Sequence, residues 1–198
     1  MVAAVHPGPV EEGEFVTKPF RELASPLLDL SHPEQFAHVQ SAFDPFFPVG
    51  RRYYWKSTYL DDPSDAALNA LVQRGRARVS PMSAITFWPL GRAIGEVDPD
   101  ATAYARRDAP FLVAAEATWD DPETDEANIQ WSRDTVAAMR PFSQGGLYLN
   151  FGGFGEEREA MLRATYGPNY DRLVDIKNRY DPGNLFHMNM NIRPTTTS

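Results

Sequence analysis

The chain has 198 residues, a formal net charge of −8, 42% hydrophobic and 23% charged residues, and no cysteine. That size and balance suit one packed globular domain, and the missing cysteines exclude disulfides, zinc–thiolate sites and thiol nucleophiles within these residues. An acidic chain without a basic run repels a nucleic-acid backbone, so no nucleic-acid partner is expected. No apolar stretch resembles a signal peptide or reaches membrane-spanning length, so no membrane association and a cytoplasmic location are expected.

Seventeen prolines and thirteen glycines punctuate the chain and argue for many short elements. Residues 10–16 (VEEGEFV) read as a short edge strand and 18–25 as a turn. Residues 33–47 have helical spacing at Phe36, Val39 and Phe43, ended by Pro45 and Pro48. Residues 51–60 (RRYYWKSTYL) are dominated by aromatic and β-branched side chains and predict a strand. A helix is expected over 61–78, with Asp62 as cap, Pro63 at its first position, and Ala67, Leu68, Leu71 and Val72 as its apolar stripe.

Residues 82–90 (MSAITFWPL) read as a strand that 92–97 either continues or pairs with. Residues 110–119 (PFLVAAEATW) predict another, with Phe111, Val113, Ala115, Ala117 and Trp119 on one face and Leu112, Ala114, Glu116 and Thr118 on the other. The longest helix is expected over 120–142, with an acidic first turn and an apolar face of Trp131, Thr135, Ala138, Met139 and Phe142. A short strand over 146–151, a glycine hinge and one or two short helices follow, then a tight turn into an Asn-rich tail. Strands that follow one another with only turns between them favour an α+β fold, with an antiparallel or mixed sheet and helices on one face.

The end of the chain holds its most specific pattern: Tyr148 and Asn150; Tyr166, Gly167 and Tyr170; Arg172, Leu173 and Lys177; Tyr180, Asp181 and Pro182; then Asn184, Phe186, Asn189, Asn191 and Ile192. This string resembles the C-terminal segment of the berberine bridge enzyme-like FAD-linked oxidases. Fainter matches occur in order upstream: Pro48 to Gly50 leading into Tyr54, Trp55, Lys56 and Ser57; Pro89 to Gly91; Ala101 to Ala103 with Arg107; and Trp119 and Trp131.

The resemblance implies a substrate-binding domain over 1–147 and a berberine-bridge-type segment over 148–198. In that family the flavin-binding domain comes first, often with the flavin attached through a His and a Cys, and it lies outside the region matched here. The family's sheet roofs the isoalloxazine ring, a small organic substrate is oxidised by hydride transfer to flavin, and the tail packs on the flavin domain. The expected role is therefore the substrate-binding half of an FAD-linked oxidoreductase that needs a separate flavin-binding half. The alternatives are a non-catalytic binding module or a degenerate remnant of such an enzyme. Expected partners are the small-molecule substrate and a flavin-binding domain or subunit, with self-association as an alternative. FAD is not expected to bind this chain tightly alone, because no glycine-rich loop leads into a helix as a pyrophosphate cradle requires.

The resemblance makes Tyr148 a candidate catalytic residue that hydrogen-bonds or deprotonates substrate; the competing reading is a packed tyrosine with its hydroxyl satisfied. Glu116 is the second candidate, a carboxylate within an apolar strand that burial would suit as a general base. Its competing reading is a solvent-exposed or arginine-paired side chain. Asn150, Asn189 and Asn191 fall at positions that border the flavin or the domain interface in the family, and the tail asparagines equally suit turn-fixing bonds to backbone. Phe151 stands where many relatives have tyrosine, so a tyrosinate base there is unavailable. Arg92, Arg106 and Arg107 suit either an acidic substrate or surface ion pairs; Arg92 replaces the second glycine of the family's Gly-Gly turn. The four histidines have no metal-ligand spacing.

Overall fold

A computed structural model describes residues 1–153, 159–188 and 190–195. They fall into two compact units, Met1–Val49 and Gly50–Ser198. The boundary expected at residue 147 lies inside the second.

The first unit holds helix α1 (Val10–Arg21), helix α2 (Phe36–Ser41) and a tight helical turn at Asp44–Phe46. None of its residues is buried. The helix α1 replaces the strand expected over 10–16. Glu11 and Glu12 occupy its first turn and Lys18 and Arg21 its last, the arrangement a helix dipole favours. The coil satisfies its own backbone, whereas a lone strand would need a neighbour. The turn expected at 18–25 begins only beyond Arg21. The helix expected over 33–47 is confined to six residues, because Pro45 opens the separate tight turn.

The second unit is built on strands β1 (Arg52–Leu60), β2 (Ala84–Pro89) and β3 (Phe111–Trp119), in the order β1-β3-β2. Both outer strands run antiparallel to β3 and therefore parallel to each other. Helix α3 (Asp65–Arg76) is the crossover that skips one strand position, a split βαβ unit. Ser64 rather than Asp62 caps α3, its hydroxyl accepting from the Ala67 N–H at 3.5 Å. The predicted long helix is α4 (Asp125–Ala138), flanked by tight helical turns at Pro122–Thr124 and Arg140–Phe142.

Helices α3 and α4 cover one face of the sheet. Tyr54, Ala115, Ala117 and Trp119 pack there with Trp131, and Leu60 and Val113 with Ala67, Leu71 and Met139. Trp131 is 2% exposed, and burying a side chain of that size contributes at least about 1.5–3 kcal/mol. Polar bonds fix the helices in place. Trp131 Nε1 donates to the Arg74 carbonyl at 2.8 Å, and Ser132 Oγ lies 3.2 and 3.1 Å from the carbonyls of Tyr54 and Ala115. This is the expected α+β architecture.

Two predicted strands are corrected. Residues 92–97 contain a tight turn at Arg92–Ile94, because Gly91 (φ 123°) and Arg92 (φ 45°) turn the chain out of extended geometry. Residues 146–151 do not form a strand. Gly145 and Gly146 have φ of 88° and 80°, and Leu149–Phe151 closes a tight turn in which the Phe151 N–H donates to the Tyr148 carbonyl at 2.8 Å. Pairing with β1 survives as a single bridge, Lys56 to Gly152.

Helices α5 (Glu159–Tyr166) and α6 (Asn169–Tyr180) follow. They bury Leu162, Tyr170 and Val174 against Leu149, Met190 and Ile192. The expected glycine hinge lies partly outside the described residues. Among the described residues no helix is long and apolar enough to cross a membrane.

Candidate functional site

Alternation along the strands leaves a second sheet face, away from α3 and α4. Register places Trp55, Glu116 and Ala84 in one row across it, Ser57, Ala114 and Thr86 in the next, and Tyr59, Leu112 and Trp88 in the third. The segment 148–151 is tied to this face by Ser57, which is 2% exposed. Its Oγ accepts from the Tyr148 N–H at 3.0 Å and has the Tyr148 and Phe151 carbonyls at 3.3 and 3.4 Å for its own proton.

Phe151 is the hub of the face. Its ring centroid lies 5.2 Å from Trp55 and 5.3 Å from Tyr148, both edge-on, and 5.8 Å from Trp88. Edge and tilted contacts at these distances suit the aromatic quadrupole. The phenyl group thus reaches from the row of Glu116 to that of Leu112.

Tyr148 packs its ring against the cluster of Tyr59, Ala109 and Leu112, and its hydroxyl oxygen accepts from Asn150 Nδ2 at 2.7 Å. Asn150 is exposed. Tyr59 beneath is fully buried, and burial, then a bond with Tyr104, push its phenol well above the ordinary range; it acts as packing and not as a base.

Glu116 is neither exposed nor arginine-paired among the described residues. It is 8% exposed, and desolvation raises its carboxyl above the usual range against an opposing hydrogen bond from Thr86. A carboxyl so placed holds its proton to higher pH and offers an O–H donor. Tyr148 and Glu116 share the face but are not in contact range through the sheet, since Leu112 and Glu116 stand about 13 Å apart along β3.

Asn191 Oδ1 is buried and meets no hydrogen-bond donor among the described residues. Its neighbours Met190 and Ile192 pack beside Leu149. Asn189 lies outside the described residues. Asn184, with φ 52° and its N–H on the Asp181 carbonyl at 3.0 Å, serves the turn. Asp181 organises that turn by accepting from Lys177 Nζ and from the Leu185 and Phe186 N–H groups at 2.7 and 3.0 Å.

Arg106 and Arg107 serve the structure. Arg106 bonds Asp61, Asp108 and the Gly145 carbonyl, and Arg107 bonds the Ile94 carbonyl and Thr102. No group of His, Asp or Glu among the described residues is arranged to hold a metal ion. Sequence reasoning missed Trp55, Ser57 and Trp88 as site residues. The alternation in RYYWKSTYL carried part of that signal; the strand register carried the rest.

Comparison with known proteins gives a consistent result. Residues 147–193 match the family model described as Berberine and berberine like. The chain is 21% identical to an FAD-linked oxidoreductase of Dictyostelium discoideum, over 98% of this chain and 42% of the relative. It is 29% identical to the aclacinomycin-N/aclacinomycin-A oxidase of Streptomyces galilaeus, over 70% of this chain and 29% of that one. Among solved structures, the glucooligosaccharide oxidase of Acremonium strictum shares the fold with a TM-score of 0.74 at 19% identity, over 96% of this chain and 45% of the other. The chain therefore spans less than half the length of these relatives.

Proposed function

We propose that this chain, which is similar to the berberine bridge enzyme-like FAD-linked oxidases, forms the substrate-side half of an FAD-linked oxidoreductase. Its open sheet face lines the space in which a small organic substrate meets a flavin held by a separate flavin-binding half. One observation carries this reading: the family-matching segment 148–151 folds onto the sheet face that also bears Trp55, Trp88 and Glu116.

The residues suit the ring end of FAD. The face is aromatic and uncharged apart from Glu116, whose carboxyl burial favours as the neutral form, and Asn191 carries a buried acceptor in the matched C-terminal segment. Trp55, Trp88 and Phe151 would flank the ring, and Asn191 would accept from a flavin N–H or from the flavin-binding half. When bound, FAD supplies the two-electron acceptor for the oxidation.

This chain's own contribution is orientation and proton handling. Asn150 donates into the Tyr148 oxygen, which leaves the phenolic proton directed to a substrate acceptor. Glu116 donates from the other end of the face, and the aromatic rings exclude water between the two. A non-catalytic binding module is the second reading, favoured by Phe151, which places an inert ring at the hub of the face.

Co-expression with a flavin-binding half tests the proposal. The assembly is expected to reduce its flavin on substrate addition without oxygen, and Tyr148→Phe to slow that reduction by roughly 10²-fold or more. Flavin reduction unaffected by Tyr148→Phe would favour the binding-module reading.

A further inference from the structure

Alternation in β2 sends Ile85 and Phe87 to the helix side, where they pack with Leu60, Ala67 and Met139, and leaves Thr86 on the open face. Register pairs Thr86 with Ala114, two residues before Glu116 on β3, so Thr86 and Glu116 are diagonal neighbours on that face. Such neighbours stand about 7 Å apart, a span that a glutamate side chain bridges. The row of Thr86 holds one other hydroxyl, that of Ser57, which is committed to the 148–151 segment. Ala114 between them carries only a methyl group. The Thr86 hydroxyl bonds the Glu116 carboxyl.

The surroundings give that bond its weight. From β1 the side chains flanking Glu116 on this face are Tyr53, Trp55 and Ser57, and from β2 they are Ala84 and Thr86. Phe151 meets Trp55 edge-on from the 148–151 segment. No lysine, arginine or second carboxylate stands among these residues. A hydroxyl that donates to one carboxyl oxygen leaves the other to face outward, and it steadies the ionised form more than the neutral one. We propose that Thr86 is the positioning residue for Glu116, holding one carboxyl oxygen toward β2 so that the O–H of the other points into the substrate space. This rests on the function proposed above, which gives Glu116 its donor role. Threonine is also a good strand former, so a purely structural Thr86 is the reading to be excluded.

The test follows the Glu116 carboxyl in the full chain by carboxyl-carbon NMR of glutamate-labelled protein, with Glu116→Gln assigning its signal. Thr86→Val keeps the branched shape and removes the donor. Its Glu116 midpoint is expected about one pH unit above that of the parent, and Thr86→Ser, which restores a hydroxyl, should bring it back. Thr86→Ala, with no branched side chain to misfit, repeats the loss in a second background. A midpoint unmoved in both hydroxyl-free variants, or a serine variant that behaves like the valine one, would overturn the inference and leave Thr86 as packing. The same variants co-expressed with the flavin-binding half separate it from the functional reading. There the pH profile of flavin reduction is expected to move with the carboxyl midpoint in Thr86→Val and to recover in Thr86→Ser. A midpoint that moves while the pH profile stays fixed would keep Thr86 as the partner of Glu116 and contradict the donor role given to Glu116.

Discussion

The Tyr148 N–H donates to Ser57 Oγ at 3.0 Å across 91 residues of sequence. This bond, with the Ser57 hydroxyl turned to the carbonyls of Tyr148 and Phe151, seats the family-specific segment on the sheet. Ser57→Ala removes a buried acceptor and leaves the Tyr148 N–H without it. The expected cost is about 1–3 kcal/mol, read as a fall of a few degrees in the thermal midpoint, with a loss of near-ultraviolet dichroism as the Phe151 contacts loosen. An unchanged midpoint with unchanged dichroism would mean that the segment is held by its rings alone.

Glu116 sets a pH dependence with a definite sign. Its folded midpoint is raised by burial above the ordinary 4.5, so the folded protein holds a proton that the unfolded chain releases. The stability linked to this group is complete below the unfolded midpoint and falls as pH rises through the folded one, by at most about 1.4 kcal/mol per pH unit between the two. Glu116→Gln removes that slope. Denaturant unfolding should therefore show the variant gaining on the parent as pH rises from 4 to 8, as an order-of-magnitude window around the usual carboxylate range. A constant difference across that window would place Glu116 in solvent.

Arg92 occupies φ 45° immediately after Gly91, a conformation that costs an L-residue roughly 1–2 kcal/mol. Arg92→Gly should therefore be more stable than Arg92→Ala by about 1 kcal/mol, although glycine is elsewhere the poorer choice. Equal midpoints for the two variants would contradict a left-handed residue 92.

Strands β1 and β3 and helices α3 and α4 were legible because each carries a full period of its pattern: alternation in RYYWKSTYL and FLVAAEATW, and Trp131, Thr135 and Met139 on one side of α4. The helix at Val10–Arg21 was not legible in its first seven residues, whose apolar positions, Val10, Phe15 and Val16, complete neither period. The turn at Leu149–Phe151 was hidden because YLNF has strand composition, and what breaks the strand is the left-handed backbone at Gly145 and Gly146 together with the Ser57 contact. For the site, Tyr148 and Glu116 could be singled out one at a time. Their common face, and the convergence of Trp55 and Trp88 on Phe151, depend on strand register, which no local pattern encodes.

On the proposed function, this chain supplies the substrate side of an FAD-linked reaction and joins a flavin held elsewhere. Titrating the purified chain into its FAD-loaded flavin-binding half, with flavin fluorescence as the readout, tests it most directly. The predicted result is a lone chain without flavin absorbance that changes the flavin fluorescence to a one-to-one endpoint, with Trp55→Ala and Trp88→Ala reducing the change. A lone chain that carries stoichiometric flavin, or a flavin signal indifferent to the added chain, would contradict it.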